Sequence, residues 1–289
     1  MGISCEGEGF ALMILGDPDF SVQPLGAAPG PESLFCCFQN GRVLLAGEGE
    51  AASPPTWAQV QALLPKGFVP FELAHTGDIA IFSPHPFLPF EMAESEGMRF
   101  HELRVFRCLP YAVGGRIASC WHLWSWYQRN RYCGCCGGAL APAPDERALR
   151  CERCGQTLYP AIAPAVIVAI TDGDRILLAR NAHASFQHYA LISGYVEVGE
   201  TLEHAVRREV MEEVGLSLRS LRYLGNQPWG VSGSQMFAFH AEATGGEAIV
   251  LQRSELSDAR WFARSELEPR AHTASIAFEL IERFRTGRL

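Results

Sequence analysis

The chain has 289 residues, 48% of them hydrophobic and 19% charged, the balance of a soluble globular protein with room for one large domain or two ordinary ones. A formal net charge of −8 argues against a nonspecific binder of nucleic acid or of anionic membrane, which would carry a basic surface. No apolar run approaches the roughly eighteen residues of a membrane helix, and no basic stretch precedes the short apolar segment at residues 10–15; the expectation is a cytoplasmic protein with no membrane partner.

Residues 10–15, 41–46, 78–82 and 100–106 read as short strands separated by Gly/Pro-rich loops, and residues 56–64 as one short helix. They predict a small α+β domain that carries no chemical motif. His75, His85 and His101 lie in it without clustered partners and are assigned no ligand role. Ile117, Cys120, Leu123, Trp124 and Tyr127 recur at helical spacing, so residues 113–127 predict a helix whose tryptophans pack rather than stack on a cofactor. With this linking helix, the first domain is expected to span residues 1–128.

Cys133-Gly134-Cys135-Cys136 and Cys151-Glu152-Arg153-Cys154 form two C-x₂-C pairs separated by fourteen residues. Thiolates from Cys133, Cys136, Cys151 and Cys154 complete a tetrahedral zinc site with no open position, which is the structural rather than the catalytic pattern. Cys135 is a bystander within the first pair, or the alternative to Cys136 as ligand. Core thiols or a redox pair are the competing readings. The segment 129–160 is thus expected to be a zinc ribbon, a module that often binds nucleic acid.

Further on, residues 164–170 and 175–180 flank Asp172-Gly173, a hairpin signal, and residues 189–195 form a third strand that delivers Gly194 to a helix. Thr201 is a fitting N-cap, Glu203 suits the first turn, and Gly215 supplies the stop. Glu209, Glu212 and Glu213 fall within a sector of about 100° beside an apolar stripe of Leu202, Val206, Val210 and Val214. Such carboxylates repel one another unless a cation sits between them, and hard oxygen ligands suit Mg²⁺ or Mn²⁺. A merely solvated glutamate face is the plain alternative. Strands over 221–225, 235–243 and 260–262 and a terminal amphipathic helix over 275–285 complete a mixed sheet layered between helices.

The order Gly194, five residues, Glu200, seven residues, Arg208-Glu209-Val210, one residue, Glu212-Glu213, one residue, Gly215-Leu216 resembles the Nudix hydrolase signature at every position. That resemblance implies hydrolysis of a nucleoside diphosphate linked to another group. It also implies that Arg208 orients a loop carboxylate such as Glu200, and that Gly194 lets the loop backbone approach the metal. The expected fold class is therefore α/β, a Nudix α/β/α sandwich over residues 161–289, preceded by the four-cysteine zinc ribbon and the N-terminal α+β domain.

A ribbon directly ahead of this box, with Gln227-Pro228-Trp229 and Ser234 downstream, resembles the NADH pyrophosphatases of the NudC type over about residues 132–281. The likeness implies cleavage of NAD(H) to AMP and nicotinamide mononucleotide, and removal of NAD caps from RNA 5′ ends. It implies metal on Glu209, Glu213 and Glu255, assisted by the Ser193 carbonyl, which leaves Glu212 to orient water or act as base. Substrate contacts are implied for Glu146, Tyr159, Gln227, Pro228, Trp229, Gly230, Val231, Ser232, Gly233, Ser234 and Ala277, with Tyr195 stacking on the adenine. A homodimer is implied, with Tyr159 serving the partner's site. Where the family usually has Ser-Gln-Pro-Trp-Pro-Phe-Pro, this chain has Asn226-Gln227-Pro228-Trp229-Gly230-Val231-Ser232, which predicts a more flexible loop and a looser pocket. The rival readings are a Nudix hydrolase of ADP-ribose or dinucleoside polyphosphates, and a zinc-ribbon binding protein with an inactive Nudix domain.

Overall fold

The computed structural model of the chain describes residues 19–23, 26, 28–183, 188–245, 248–269 and 275–289. The strand expected over 10–15 lies outside them. The chain divides into two compact units, one built from Leu15–Ile162 with Trp229–Gly233, the other including Ala163–Pro228 and Ser234–Leu289.

In the first unit, strands β1 (Phe20–Ser21), β2 (Leu34–Phe35), β3 (Phe38–Gln39), β4 (Arg42–Ala46), β5 (Pro70–Thr76), β6 (Ile79–Pro84) and β7 (Met98–Glu102) form two sheets. Their orders are β1-β5-β6-β2 and β3-β4-β7. Phe35, Leu44, Val60, Phe82 and Phe100 are buried together in the core. Helix α1 (Trp57–Val60) opens on a capping box between Thr56 and Gln59, then tightens into a 3₁₀ turn over Gln61–Leu63. The helix expected over 56–64 is therefore two short pieces.

A second difference lies at residues 100–106, where the extended chain ends at Glu102 and Leu103–Cys108 is a 3₁₀ helix. Leu103 and Phe106 are its buried residues, and a spacing of three fits one face of a 3₁₀ helix. Helix α2 (Tyr111–Arg129) then buries Ile117, Ala118, Leu123, Trp126 and Tyr127. Three short strands follow, β8 (Leu140–Pro142), β9 (Leu149–Cys151) and β10 (Thr157–Leu158), in an antiparallel sheet of order β10-β9-β8.

The second unit comprises β11 (Ala163–Asp172), β12 (Arg175–Asn181), β13 (Ile192–Tyr195), α3 (Leu202–Val214), β14 (Leu218–Trp229), β15 (Ser234–Ala243), β16 (Leu256–Ala263) and α4 (Ile276–Arg285). Its six-stranded sheet runs β14-β15-β11-β12-β16, with β13 paired to β11. The β11–β15 pair is parallel, whereas β11–β12, β11–β13 and β12–β16 are antiparallel. Because alternate strand residues face opposite sides, β11 supplies two cores at once. Val166, Val168 and Ile170 pack with Val206, Val210 and Val214 of α3. Ile167 and Ala169 pack with Leu280, Ile281 and Phe284 of α4. The result is a helix–sheet–helix sandwich. Among the described residues, no helix is long and apolar enough to cross a membrane.

Candidate active site

The box helix begins where the sequence places its cap. Thr201 accepts a hydrogen bond from the His204 amide at 3.2 Å, and Gly215 ends the helix in the left-handed conformation with φ of 68°. This fixes the rotation of α3, which buries Val206, Val210 and Val214 and brings Glu209 against β13. At Gly194 of β13, an added Cβ would fall 2.0 Å from the Glu209 carboxyl carbon. The strand backbone can therefore lie on the carboxylate only because residue 194 has no side chain.

Arg208 ties the site together. Its Nε and Nη2 donate to both oxygens of Glu200 at 2.7 and 2.9 Å, and Nη2 also donates to the Tyr195 carbonyl at 2.9 Å. Its Nη1 reaches Glu209 at 2.8 Å and Glu212 at 3.2 Å. Such a planar fork orients a carboxylate as well as neutralising it. Arg208 and the Glu197 amide hold the Glu200 carboxyl at about 2, well below its ordinary value.

Glu213 is in the opposite situation. It is buried, and among the described residues no cation or hydrogen-bond donor reaches its carboxylate. Burial, followed by the charges of Glu209, Glu255 and Glu212, pushes its carboxyl up to about 8. Glu209 is raised as well, first by burial, with Arg208 opposing. Glu255 sits just before β16, where its carbonyl accepts from the Ala182 amide at 2.7 Å. Ser193 lies on β13 one residue before Gly194 and is exposed.

Glu209, Glu213 and Glu255 thus form an oxygen-only set, electrostatically frustrated as it stands, whose chemistry fits a divalent cation. They are less tightly gathered than the cysteines. Among the described residues, the four-cysteine set is the group of potential ligand atoms that all lie within 4.8 Å of one another.

In the ribbon, Cys133 and Cys154 sulfurs are 3.6 Å apart, and those of Cys136 and Cys151 are 3.5 Å apart. Tetrahedral zinc with Zn–S bonds of about 2.3 Å separates its sulfurs by about 3.8 Å, so the cage has the right size. The two knuckles are built alike. Gly137 and Gly155 have φ of 72° and 75°, and their amides return to the carbonyls of Cys133 and Cys151 at 2.8 and 2.9 Å. Backbone N–H groups aimed at sulfur, that of Cys154 first, lower the Cys151 thiol to about 7. Cys133 is lowered likewise by the amides of Cys136 and Cys135. Cys135 is exposed and stays outside the cage.

Comparison with known proteins agrees with this arrangement. A NUDIX domain model matches residues 161–284, and an NADH pyrophosphatase zinc ribbon domain model matches residues 128–159. The NAD-capped RNA hydrolase NudC of Pseudomonas fluorescens strain Pf-5 is 43% identical over 201 residues, covering 68% of this chain and 71% of its own. The protein of the same name from P. fluorescens strain Pf0-1 is 35% identical over 259 residues, 82% of this chain and 92% of its own. The chain belongs to the NudC family of Nudix hydrolases.

The residues that the NudC resemblance marks for substrate fall into several groups. Tyr195 is exposed, and its hydroxyl is 3.3 Å from that of buried Ser234. Gln227 is fully buried, and its side-chain oxygen accepts from the Ile276 amide at 2.7 Å, satisfying the first turn of α4 one residue before Ala277. Glu146 and exposed Tyr159 meet on the ribbon, where a hydrogen bond to Glu146 raises the Tyr159 phenol and Arg150 reaches Glu146 at 3.4 Å. Pro228 is exposed near the end of β14.

Trp229, Gly230, Val231, Ser232 and Gly233 belong to the first unit. Trp229 stacks edge-on to Phe106 at 5.5 Å and lies under the Arg107 guanidinium at 5.2 Å. An added Cβ at Gly230 would fall 2.1 Å from the Ala118 carbonyl oxygen of α2. The glycine that departs from the usual NudC proline therefore serves close approach to a helix. The turn closes through Ser232 and Gly233 amides on the Trp229 carbonyl at 3.3 and 3.1 Å, which is tighter packing than the loose loop expected.

Proposed function

We propose that the chain hydrolyses the pyrophosphate of NAD(H) to AMP and nicotinamide mononucleotide, and removes NAD caps from RNA 5′ ends. The observation that carries this reading is the Arg208 fork, which joins Glu200, Glu209, Glu212 and the β13 backbone beside buried, unneutralised Glu213. The family relationship then supplies the substrate class, since both relatives described above bear the name NAD-capped RNA hydrolase.

Glu209, Glu213 and Glu255, with the Ser193 carbonyl, would hold Mg²⁺ or Mn²⁺. When bound, the metal neutralises the pyrophosphate and polarises the phosphorus under attack. The chain's own residues do the rest. Gly194 admits the Glu209 carboxylate to the strand backbone, and Arg208 fixes Glu200 and Glu209 so that little reorganises during reaction. Glu212 is half-exposed, with 52% of its side chain accessible, and is held by Arg208 at one oxygen; it is the carboxylate placed to orient water or take its proton. The Tyr195 ring offers its face to the adenine. Zinc in the four-thiolate cage is structural, with no position open to substrate. A cytoplasmic homodimer in which exposed Tyr159 serves the partner's site completes the reading.

Product analysis with NADH and either metal tests it. AMP and the mononucleotide are expected; nicotinamide release, or ADP-ribose turnover far above that of NADH, would overturn it.

A further inference from the structure

On the α4 side of the second unit's sheet, two arginines stand beside one tyrosine. The Arg180 guanidinium lies 4.5 Å from the centre of the Tyr189 ring, and that of Arg260 lies 5.3 Å from Tyr189 and 4.2 Å from Phe262. Arg180 is paired across the strands with Asp258 and Leu178 with Arg260, so the two arginines are diagonal neighbours on one face. Tyr189 donates its hydroxyl to Asp258, which anchors the ring between them. Among the described residues, neither arginine has a carboxylate within salt-bridge distance, and the Arg180 Nε is buried without a hydrogen-bond partner.

Arg208, Arg219, Arg264, Arg283 and Arg285 all form ion pairs. Two stacked guanidiniums outside ion-pair distance of any described carboxylate, against the single nearby Asp258, are a local excess of positive charge in a chain of net charge −8. Stacking on aromatic rings fixes the guanidinium planes, a geometry that suits donation to phosphate oxygens through the terminal Nη groups. Through neighbours in sequence, the patch lies close to two residues that the NudC resemblance marks, Glu255 and Ala277. Glu255 immediately precedes β16, so it lies about 10 Å along the strand from Asp258 at 3.3 Å per residue. On the other side, His188, next to Tyr189, faces the Phe278 ring at 6.5 Å, adjacent to Ala277.

We propose that Arg180 and Arg260 form a subsite for the phosphodiester backbone of the RNA body attached to the cleaved dinucleotide, with Tyr189 as the platform that holds them. This rests on the capped-RNA reading above. It gives the chain a way to hold RNA that free NADH, ending at its two nucleosides, does not use. Asp258 lies beside the pair and weakens the local field.

The test compares the wild-type protein with Arg180→Gln, Arg260→Gln and Asp258→Asn on free NADH and on NAD-capped single-stranded RNA, alongside anisotropy of a labelled single-stranded RNA. Each arginine variant is expected to weaken RNA binding and capped-RNA kcat/KM by about tenfold, as loss of one charge-assisted contact would. The log–log salt slope of RNA binding is expected to become shallower by about 1 for each arginine removed. NADH turnover should stay within about twofold, a change too small to signal a lost contact. Asp258→Asn should tighten RNA binding, a gain that partial unfolding cannot mimic. Parallel losses on NADH and RNA, or unchanged RNA binding in both arginine variants, would overturn the subsite. A wild-type protein that leaves NADH intact would instead sink the proposed activity, while the anisotropy series would still decide the subsite.

Discussion

Gly194 and Glu209 occupy the same space in the sense that matters for substitution: a methyl group on the first would sit 2.0 Å from the carboxylate of the second. Gly194→Ala is therefore expected to displace Glu209 and lower kcat at least about a hundredfold, the cost of misplacing a reacting group by about 1 Å. The stability loss should stay within the roughly 1–3 kcal/mol of an overpacked site, because the edge strand and the carboxylate can both give. Steady-state kinetics beside a denaturation curve checks both parts. Activity near wild type would show that Glu209 need not lie against the strand.

Arg208 and Glu200 give a pH signature. The folded protein holds the Glu200 carboxyl at about 2, below the 4.5 of an unperturbed glutamate, so its stabilising contribution is present above about 4.5 and is lost as the pH falls through about 2. Glu200→Gln lacks that titration. The stability gap between wild type and Glu200→Gln is expected to be constant near neutrality and to close progressively toward pH 2. Denaturant curves across this window would refute the pairing if the gap were flat.

The box helix could be read from sequence because each of its determinants is local: Thr201 at the cap, apolar residues at 3.6 spacing, and Gly215 at the stop. The cysteine cage was legible for the same reason, each knuckle closing within five residues on a glycine of positive φ. Residues 100–106 were not, since a short run with Phe100, Leu103 and Phe106 apolar fits a strand or a 3₁₀ turn equally well, and only packing chooses. The end of β14 and the turn after it hid more. A buried glutamine cannot be told from an exposed one by its neighbours in sequence, so nothing marked Gln227 as the group that satisfies α4. Likewise Gly230 looks like slack until the Ala118 carbonyl is found beside it. The Arg180–Tyr189–Arg260 patch assembles three separate stretches of chain and left no local signal.

The cysteine cage predicts a stability effect that separates its members. Cys151→Ser should lose zinc and lower the Tm by clearly more than the roughly 2–4 °C that 1 kcal/mol shifts in a large domain, because metal binding is coupled to the fold of the ribbon. Cys135→Ser should keep both zinc and Tm, since that thiol lies outside the cage. Metal analysis with a thermal melt of the two variants checks this. Equal zinc content in wild type and Cys151→Ser would remove Cys151 from the site.

Trp229 poses the sharpest question, because the observed packing and the family's substrate role compete for one side chain. Its contacts with Phe106 and Arg107 predict that Trp229→Ala costs stability at the low end of the roughly 3–5 kcal/mol seen for large aromatic truncations, since the ring is half-buried. Gly230→Pro, which restores the usual family residue, should also destabilise the protein, because its Cβ would meet the Ala118 oxygen. A packing role alone would leave the ratio of NADH to ADP-ribose turnover unchanged at temperatures well below the melt. If Trp229 also forms a wall for the nicotinamide half, Trp229→Ala should lower kcat/KM for NADH more than for ADP-ribose, while Trp229→Phe recovers most of the stability. Measuring both substrates on both variants separates the two: an equal fall on the two substrates, tracking the loss of folded protein, would leave Trp229 as a packing residue and move recognition of the nicotinamide half elsewhere in the site.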